Sequence, residues 1–141
     1  MLIVVSDPEA TKRMQTAMPL CATLNVVAER FSAEEVALSM DWAAGFCTIN
    51  GLLHGGVIMA LADSAGGACA SLNLPDGATG TSTIESKTNF LGAVRKGRVM
   101  AVARPLHAGS TTIVVETEVR SIGDRLVAKV TQTQAVLRPR Q

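Results

Sequence analysis

Aromatic side chains supply only 3% of the 141 residues: one Trp, three Phe and no Tyr. Stacked rings therefore cannot build the interior, and the 48% of apolar residues must pack as an aliphatic core of Val, Ile, Leu, Met and Ala. Charge of one sign is also missing. The formal net charge is +1, so no bulk basic field points to nucleic acid. No apolar run reaches the roughly 18 residues that a membrane span needs. The opening Met-Leu-Ile-Val-Val is too short for the core of a secretory leader and lacks a basic start. Cysteine is scarce and odd in number: Cys21, Cys47 and Cys69 have neither metal-ligand nor redox spacing, so the expectation is three reduced thiols, no bound metal and a cytoplasmic setting. The length fits a single domain spanning residues 1–141, which would bury roughly 68–70% of its unfolded surface.

What is present is organised simply. Ser6-Asp7-Pro8-Glu9 predicts a short helix, with Asp7 as N-cap and Pro8 in the first turn, ending before Pro19. Residues 24–30 and 35–41 read as strands, the second with Val36, Leu38 and Met40 on one face and Ala37, Ser39 and Asp41 on the other. Turn residues Gly45 and Asn50-Gly51 mark a loop over 42–53. From 55 to 72 the period becomes helical, with Ile58, Leu61, Ala65, Ala68, Cys69 and Leu72 at spacings of three and four. After Pro75-Asp76-Gly77, alternation over 81–91, 98–106, 111–120 and 126–137 predicts four strands. Tight turns at Ala108-Gly109 and Gly123-Asp124 join the last three as an antiparallel meander. One long helix against a large antiparallel sheet is an α+β arrangement.

The central helix carries costs that need a cause. Gly66 and Gly67 sit in its middle, each about 1 kcal/mol worse than Ala, and close approach of another backbone is the expected compensation. Asp63 is its one charged residue, and no Lys or Arg occurs between Arg30 and Lys87 to pair with it. An acid so placed is either exposed by a cleft or functional. At the helix start, Gly55 and Gly56 follow His54, so bare amides and the partial positive charge of the helix end are open to a carbonyl oxygen gaining charge. Asp63 lies eight residues beyond Gly55, roughly 12 Å along a helix. One helix cannot bring both groups to one carbonyl, but two antiparallel helices across a twofold axis can. A homodimer with two shared sites follows as the expectation.

The tract Thr48-Ile49-Asn50-Gly51-Leu52-Leu53-His54-Gly55-Gly56, followed by Leu61-Ala62-Asp63-Ser64-Ala65, resembles the signature of hotdog-fold thioesterases of the phenylacetate-degradation type. The likeness extends through Asn89-Phe90-Leu91, the Gly97 turn and Thr131-Gln132-Thr133, over roughly residues 20–137. It implies a curved antiparallel sheet wrapped around the long helix, dimers that pair into homotetramers, and an acyl- or arylacyl-CoA substrate, with CoA present only as part of that substrate and no separate cofactor. By position, Asp63 is the implied nucleophile or water-activating base. The implied oxyanion donor is the Gly55 N–H of the other subunit, with His54 shaping its turn. Thr83 matches a hydroxyl position that orients the water or the acid. Gly56 and Asn89 join Thr48 and Asn50 as substrate-binding candidates. Six residues before the His the family commonly carries Asn or Gln; this chain has Thr48 there and Asn50 two residues later, so either the Thr48 hydroxyl substitutes, or Asn50 reaches in through a shifted loop, or the contact is missing. Ala93 stands where the family often has Pro.

Weaker constellations are read as structure. Cys47 with His54 would make a Cys-His dyad, but an isolated Cys is usually a small buried hydrophobe. Ser64 lacks nucleophile-elbow spacing, and Met14 and Met18 read as packing residues. Lys87, Arg95, Lys96 and Arg98 are candidates for CoA phosphates. Two other functions stay open on sequence: an acyl-CoA-binding hotdog protein that does not cleave its ligand, and a hotdog dehydratase using a His with an acid.

Overall fold

The computed structural model describes residues 6–141; the opening segment read above against a leader lies outside them. Asp7 caps helix α1 (Pro8–Ala17) by accepting from the Ala10 N–H at 2.9 Å, as its sequence predicts. Pro19 does more than stop that helix. It opens a second short one, α2 (Pro19–Thr23), at the position where a missing N–H costs nothing. Asn25 then turns the chain with φ 54°, so strand β1 begins at Val27 rather than at residue 24 and runs Val27–Phe31. α1 lies along β1: the Asp7 N–H donates to the Ala28 carbonyl (2.8 Å) and the Ala28 N–H to Thr11 Oγ1 (2.9 Å).

Strand β2 (Val36–Asp41) is buried on both faces: Ala37 and Ser39 are as buried as the inward-facing Val36, Leu38 and Met40. Ser39 donates to Glu29 Oε1 at 2.6 Å, and Arg98 closes over that pair at 3.5 Å from Glu29, covering the outer face here. Helix α3 spans Gly55–Ser71, and Leu72 ends it as an exposed C-cap instead of continuing the apolar stripe. Four long strands follow: β3 (Gly80–Phe90), β4 (Arg98–Ala108), β5 (Thr112–Ser121) and β6 (Arg125–Leu137). The meander β4-β5-β6 forms as expected, with Gly123 and Asp124 both at positive φ in its second turn. The full antiparallel order is β1-β2-β4-β5-β6-β3.

This six-stranded sheet wraps α3. Ile58, Leu61, Ala65 and Cys69 pack on the inner faces of β2, β4 and β5, where Ala101 and Ala103 give the helix room to approach. Two things are left uncovered. β3 is the terminal strand, and along α3 the face bearing Met59 and Asp63 is open. No helix among the described residues is long and apolar enough to cross a membrane.

Candidate active site

The tip of α3 is organised by His54. Its backbone is extended (φ -61°, ψ 132°), and its Nδ1 accepts the Gly56 N–H at 2.8 Å, which places the ring proton on Nε2. The His54 carbonyl takes the Val57 N–H at 2.9 Å and the Ile58 N–H at 3.2 Å. Of the helix's first amides, Gly55 alone keeps a free N–H among the described residues. The expectation that Gly56 also offers its amide is therefore corrected: the His54 ring occupies it. Gly55 is small because a Cβ there would sit 3.2 Å from the Phe90 ring. Replacing His54 by Ala is expected to cost about 0.5–2 kcal/mol by removing the cap, whereas Asn should restore most of it. Denaturant melts of the two variants check this.

Thr48 joins Gly55, Ile58 and Phe90 around a cleft of about 280 Å³ at this tip. Asn50 does not line it. Its backbone is left-handed (φ 61°) and its carbonyl accepts from Arg95 at 3.5 Å. Of the two ways to replace the missing amide, the structure brings only the Thr48 position to the cleft.

Asp63 stands two turns further along, on the open face of α3. It is exposed in the single chain and borders a cleft. Its Oδ1 accepts from Gln132 Nε2 at 3.2 Å and from Thr83 Oγ1 at 3.4 Å. Gln134 Nε2 in turn donates to Thr83 Oγ1 at 2.7 Å. Thr83 is thus where the sequence put it, beside the acid. Gln132 and Gln134 were missed as site residues. They continue the inner face of β6 beyond Ala128 and Val130, and two polar residues at inward positions were the available signal. Gln132 also explains Gly66. A Cβ at Gly66 would collide with the Gln132 carboxamide, so a side chain rather than another backbone claims that space, and around Gly67 a Cβ would meet nothing.

Asn89 lies on the opposite face of β3 from Thr83. The β3–β6 register slips between Thr83 and Glu85, so Ile84 is bulged out and the alternation reverses beyond it. Ser86, Thr88 and Phe90 follow Thr83 on the inner face, while Asn89 opposes Lys129 on the outer one. The bulge is what brings Phe90 to Gly55.

A cleft of about 440 Å³ opens beside Asp63, Thr83 and Gln134, walled by Met14, Met18 and Phe31. Met14 is buried in the core, as expected, yet both Met side chains also face this cleft. Of the basic candidates, Arg98 is engaged by Asp41 at 3.0 Å, which holds the Asp41 carboxyl below its ordinary range.

No hydrogen bond joins Cys47 to His54 among the described residues. The Cys47 thiol donates to the Ala43 carbonyl at 3.3 Å, and Cys21 to Ser64 Oγ at 3.4 Å. Burial pushes the thiols of Cys21 and Cys69 up, Cys69 to about 11. Since the thiolate is the reactive form, alkylation of the folded protein near neutral pH should label Cys47 first. Cys21 and Cys69 should react only after denaturation; peptide mapping that finds Cys69 modified in folded protein would contradict this.

Against this geometry, the sequence profile of the thioesterase superfamily matches residues 50–128, from the approach to α3 into β6. The chain belongs to the thioesterase superfamily. It is 39% identical over 89 residues to ComA2 of Bacillus subtilis (strain 168), named for esterase activity, covering 62% of this chain and 70% of that one. To the 1,4-dihydroxy-2-naphthoyl-CoA hydrolase of Escherichia coli (strain K12) it is 36% identical over 87 residues, or 62% of this chain and 63% of the other. The crystal structure of a mutant thioesterase PA1618 from Pseudomonas aeruginosa superposes with a TM-score of 0.84 at 30% identity, covering 93% of this chain and 94% of that one. This thioesterase therefore has the hotdog fold that its motif resemblance implied, and it is a hydrolase. The matched segment contains Gly55, Asp63 and Thr83; Gln132, Gln134 and α1 lie outside it.

Proposed function

We propose that this thioesterase hydrolyses a small or aromatic acyl-CoA to the free acid and CoA, in active sites that two copies of the chain share. One observation carries the reading. Asp63 has one oxygen held by Gln132 and Thr83 on an open helix face, while the single unpaired amide of that helix, at Gly55, lies about two turns away beside a different cleft. Neither half-site is sufficient. Antiparallel docking of two α3 helices sets Asp63 of one copy against Gly55 of the other. The open edge of β3 and the exposed Ile84 and Leu91 beside it support such a partner. Pairing of two dimers into a homotetramer belongs to the same proposal, as does a single catalytic domain over 1–141 acting in the cytoplasm.

In the reaction, the thioester oxygen accepts the Gly55 N–H, which stabilises the charge it gains as the carbonyl carbon becomes tetrahedral. Asp63 either attacks that carbon, forming an anhydride that water then cleaves, or takes a proton from the water that attacks. In both routes the C–S bond breaks, CoA leaves as its thiolate and is protonated, and the acyl group leaves as a carboxylic acid. Thr48 contacts the substrate near the Gly55 cleft. The Met- and Phe-walled cleft beside Asp63 suits an apolar acyl group, and the aromatic-acyl substrate named for the Escherichia coli relative favours an arylacyl one. This is the finer sense in which the phenylacetate-degradation type applies. A dehydratase needs a His and an acid acting on one substrate, whereas His54 spends its Nδ1 on the Gly56 amide.

The test is a thiol-release screen over short, long and aromatic acyl-CoA thioesters, with Asp63→Ala alongside. Release of free thiol from small or aromatic thioesters, and none with the variant, is expected. Saturable binding without thiol release would overturn the proposal.

A further inference from the structure

Two carboxamides on the inner face of β6 are more than the fold requires. Gln132 is 0% exposed and Gln134 2%, in a row that begins with the apolar Ala128 and Val130. Gln132 Oε1 has no partner among the described residues, so burying this side chain is unfavourable on its own account. The helix has also given up a side chain at Gly66 to make room for it. Leu or Met at these positions would satisfy the core. Their polar ends instead reach Asp63, one directly and one through Thr83. Gln132 Nε2 donates to Asp63 Oδ1, and Gln134 Nε2 donates to Thr83 Oγ1. Because the Thr83 oxygen is accepting, its own proton is directed to Asp63 Oδ1 as well. No donor among the described residues reaches Oδ2.

We infer that Gln132 and Gln134 are positioning residues of the hydrolysis. They fix Asp63 through Oδ1, directly and by way of Thr83, so that Oδ2 is the oxygen that attacks the carbonyl or takes the water's proton. This rests on the reading of Asp63 as the catalytic carboxylate. The charged group sharing the cleft is Arg13 of α1; the parts of β1, β3, β6 and α3 that line it bring none besides Asp63 itself. Gly66 is then explained by function, since it exists for the Gln132 side chain.

The test uses side chains of matched shape. Gln132→Met keeps the volume and removes the donor; Gln132→Glu sets a second carboxylate against Asp63. Both should lower kcat by about 10- to 100-fold with KM changed by less than about threefold, as misplacement of a reacting group does. Gln134→Met should match Thr83→Val, and the double variant should lose no more than either alone. Gly66→Ala should destabilise the protein and slow it. In a Gln132→Ala background the added methyl group enters vacated space, so thermal stability should recover while kcat stays low. Wild-type kcat and KM in both Gln132 variants, with Asp63→Asn inactive, would overturn the positioning role and leave Asp63 in place. An active Asp63→Asn would overturn the reading beneath it. If Gln132→Met does not fold, the Gln134→Met and Thr83→Val pair decides, additive losses overturning the inference.

Discussion

Asp63→Asn is expected to lower kcat for thioester hydrolysis by on the order of 10³-fold or more, with the assembly state of the protein unchanged. The substitution keeps the side chain's shape and leaves an amide oxygen able to accept from Gln132 and Thr83. It removes only the charge, and with it the capacity to attack a carbonyl or take a proton from water. Asp63 is exposed in the single chain, and its hydrogen bonds are at 3.2 and 3.4 Å, so little folding stability rests on it. Loss of turnover should therefore come with an unchanged melting profile. Steady-state kinetics and size-exclusion chromatography on the same preparation measure both. Retention of more than about a tenth of wild-type kcat would mean that the carboxylate is not the reacting group.

Gly55→Pro should have the second largest effect, and it isolates one hydrogen atom. Proline is tolerated in the first turn of a helix, and His54 before it already has the extended backbone that a following proline demands (φ -61°, ψ 132°). The change deletes the one amide at this tip that has no partner. Gly55→Ala is the control. It brings the same Cβ against the Phe90 ring, 3.2 Å away, and retains the N–H. Phe90 is exposed and its ring has room to shift. Relative to Gly55→Ala, Gly55→Pro should lose about 10²- to 10³-fold in kcat, the range for removal of an oxyanion donor. Equal activity in the two variants would show that this amide binds no developing charge.

The order and type of the long elements were legible because each buries one face. Alternation along β4, β5 and β6 and the helical spacing of Ile58, Leu61, Ala65 and Cys69 all record that requirement. The short elements were less so. Pro19 stops one helix and starts another, and nothing local distinguishes the two uses; Leu24 belongs to the end of α2 although its apolar character suits a strand. Within the site, Asp63, Gly55 and Thr83 could be named because a lone acid, a bare helix start and a motif point to them. Gln132 could not be paired with Asp63, since 69 residues separate them and only the strand order brings them together. Which face Asn89 takes was hidden for a related reason: a one-residue bulge at Ile84 reverses the faces of β3 and leaves no mark in the pattern of polar and apolar residues. Gly56 looked free until the His54 ring was seen to cap it.

That each catalytic centre draws its acid and its amide from different copies is tested most directly by mixing two inactive variants. Asp63→Asn and Gly55→Pro are each expected to be nearly inert alone. In a mixed dimer, one site carries both lesions and the other carries neither. Random reassortment of equal amounts should restore about a quarter of wild-type activity. No recovery, in samples where mass spectrometry confirms mixed dimers, would contradict sharing and place acid and amide within one chain.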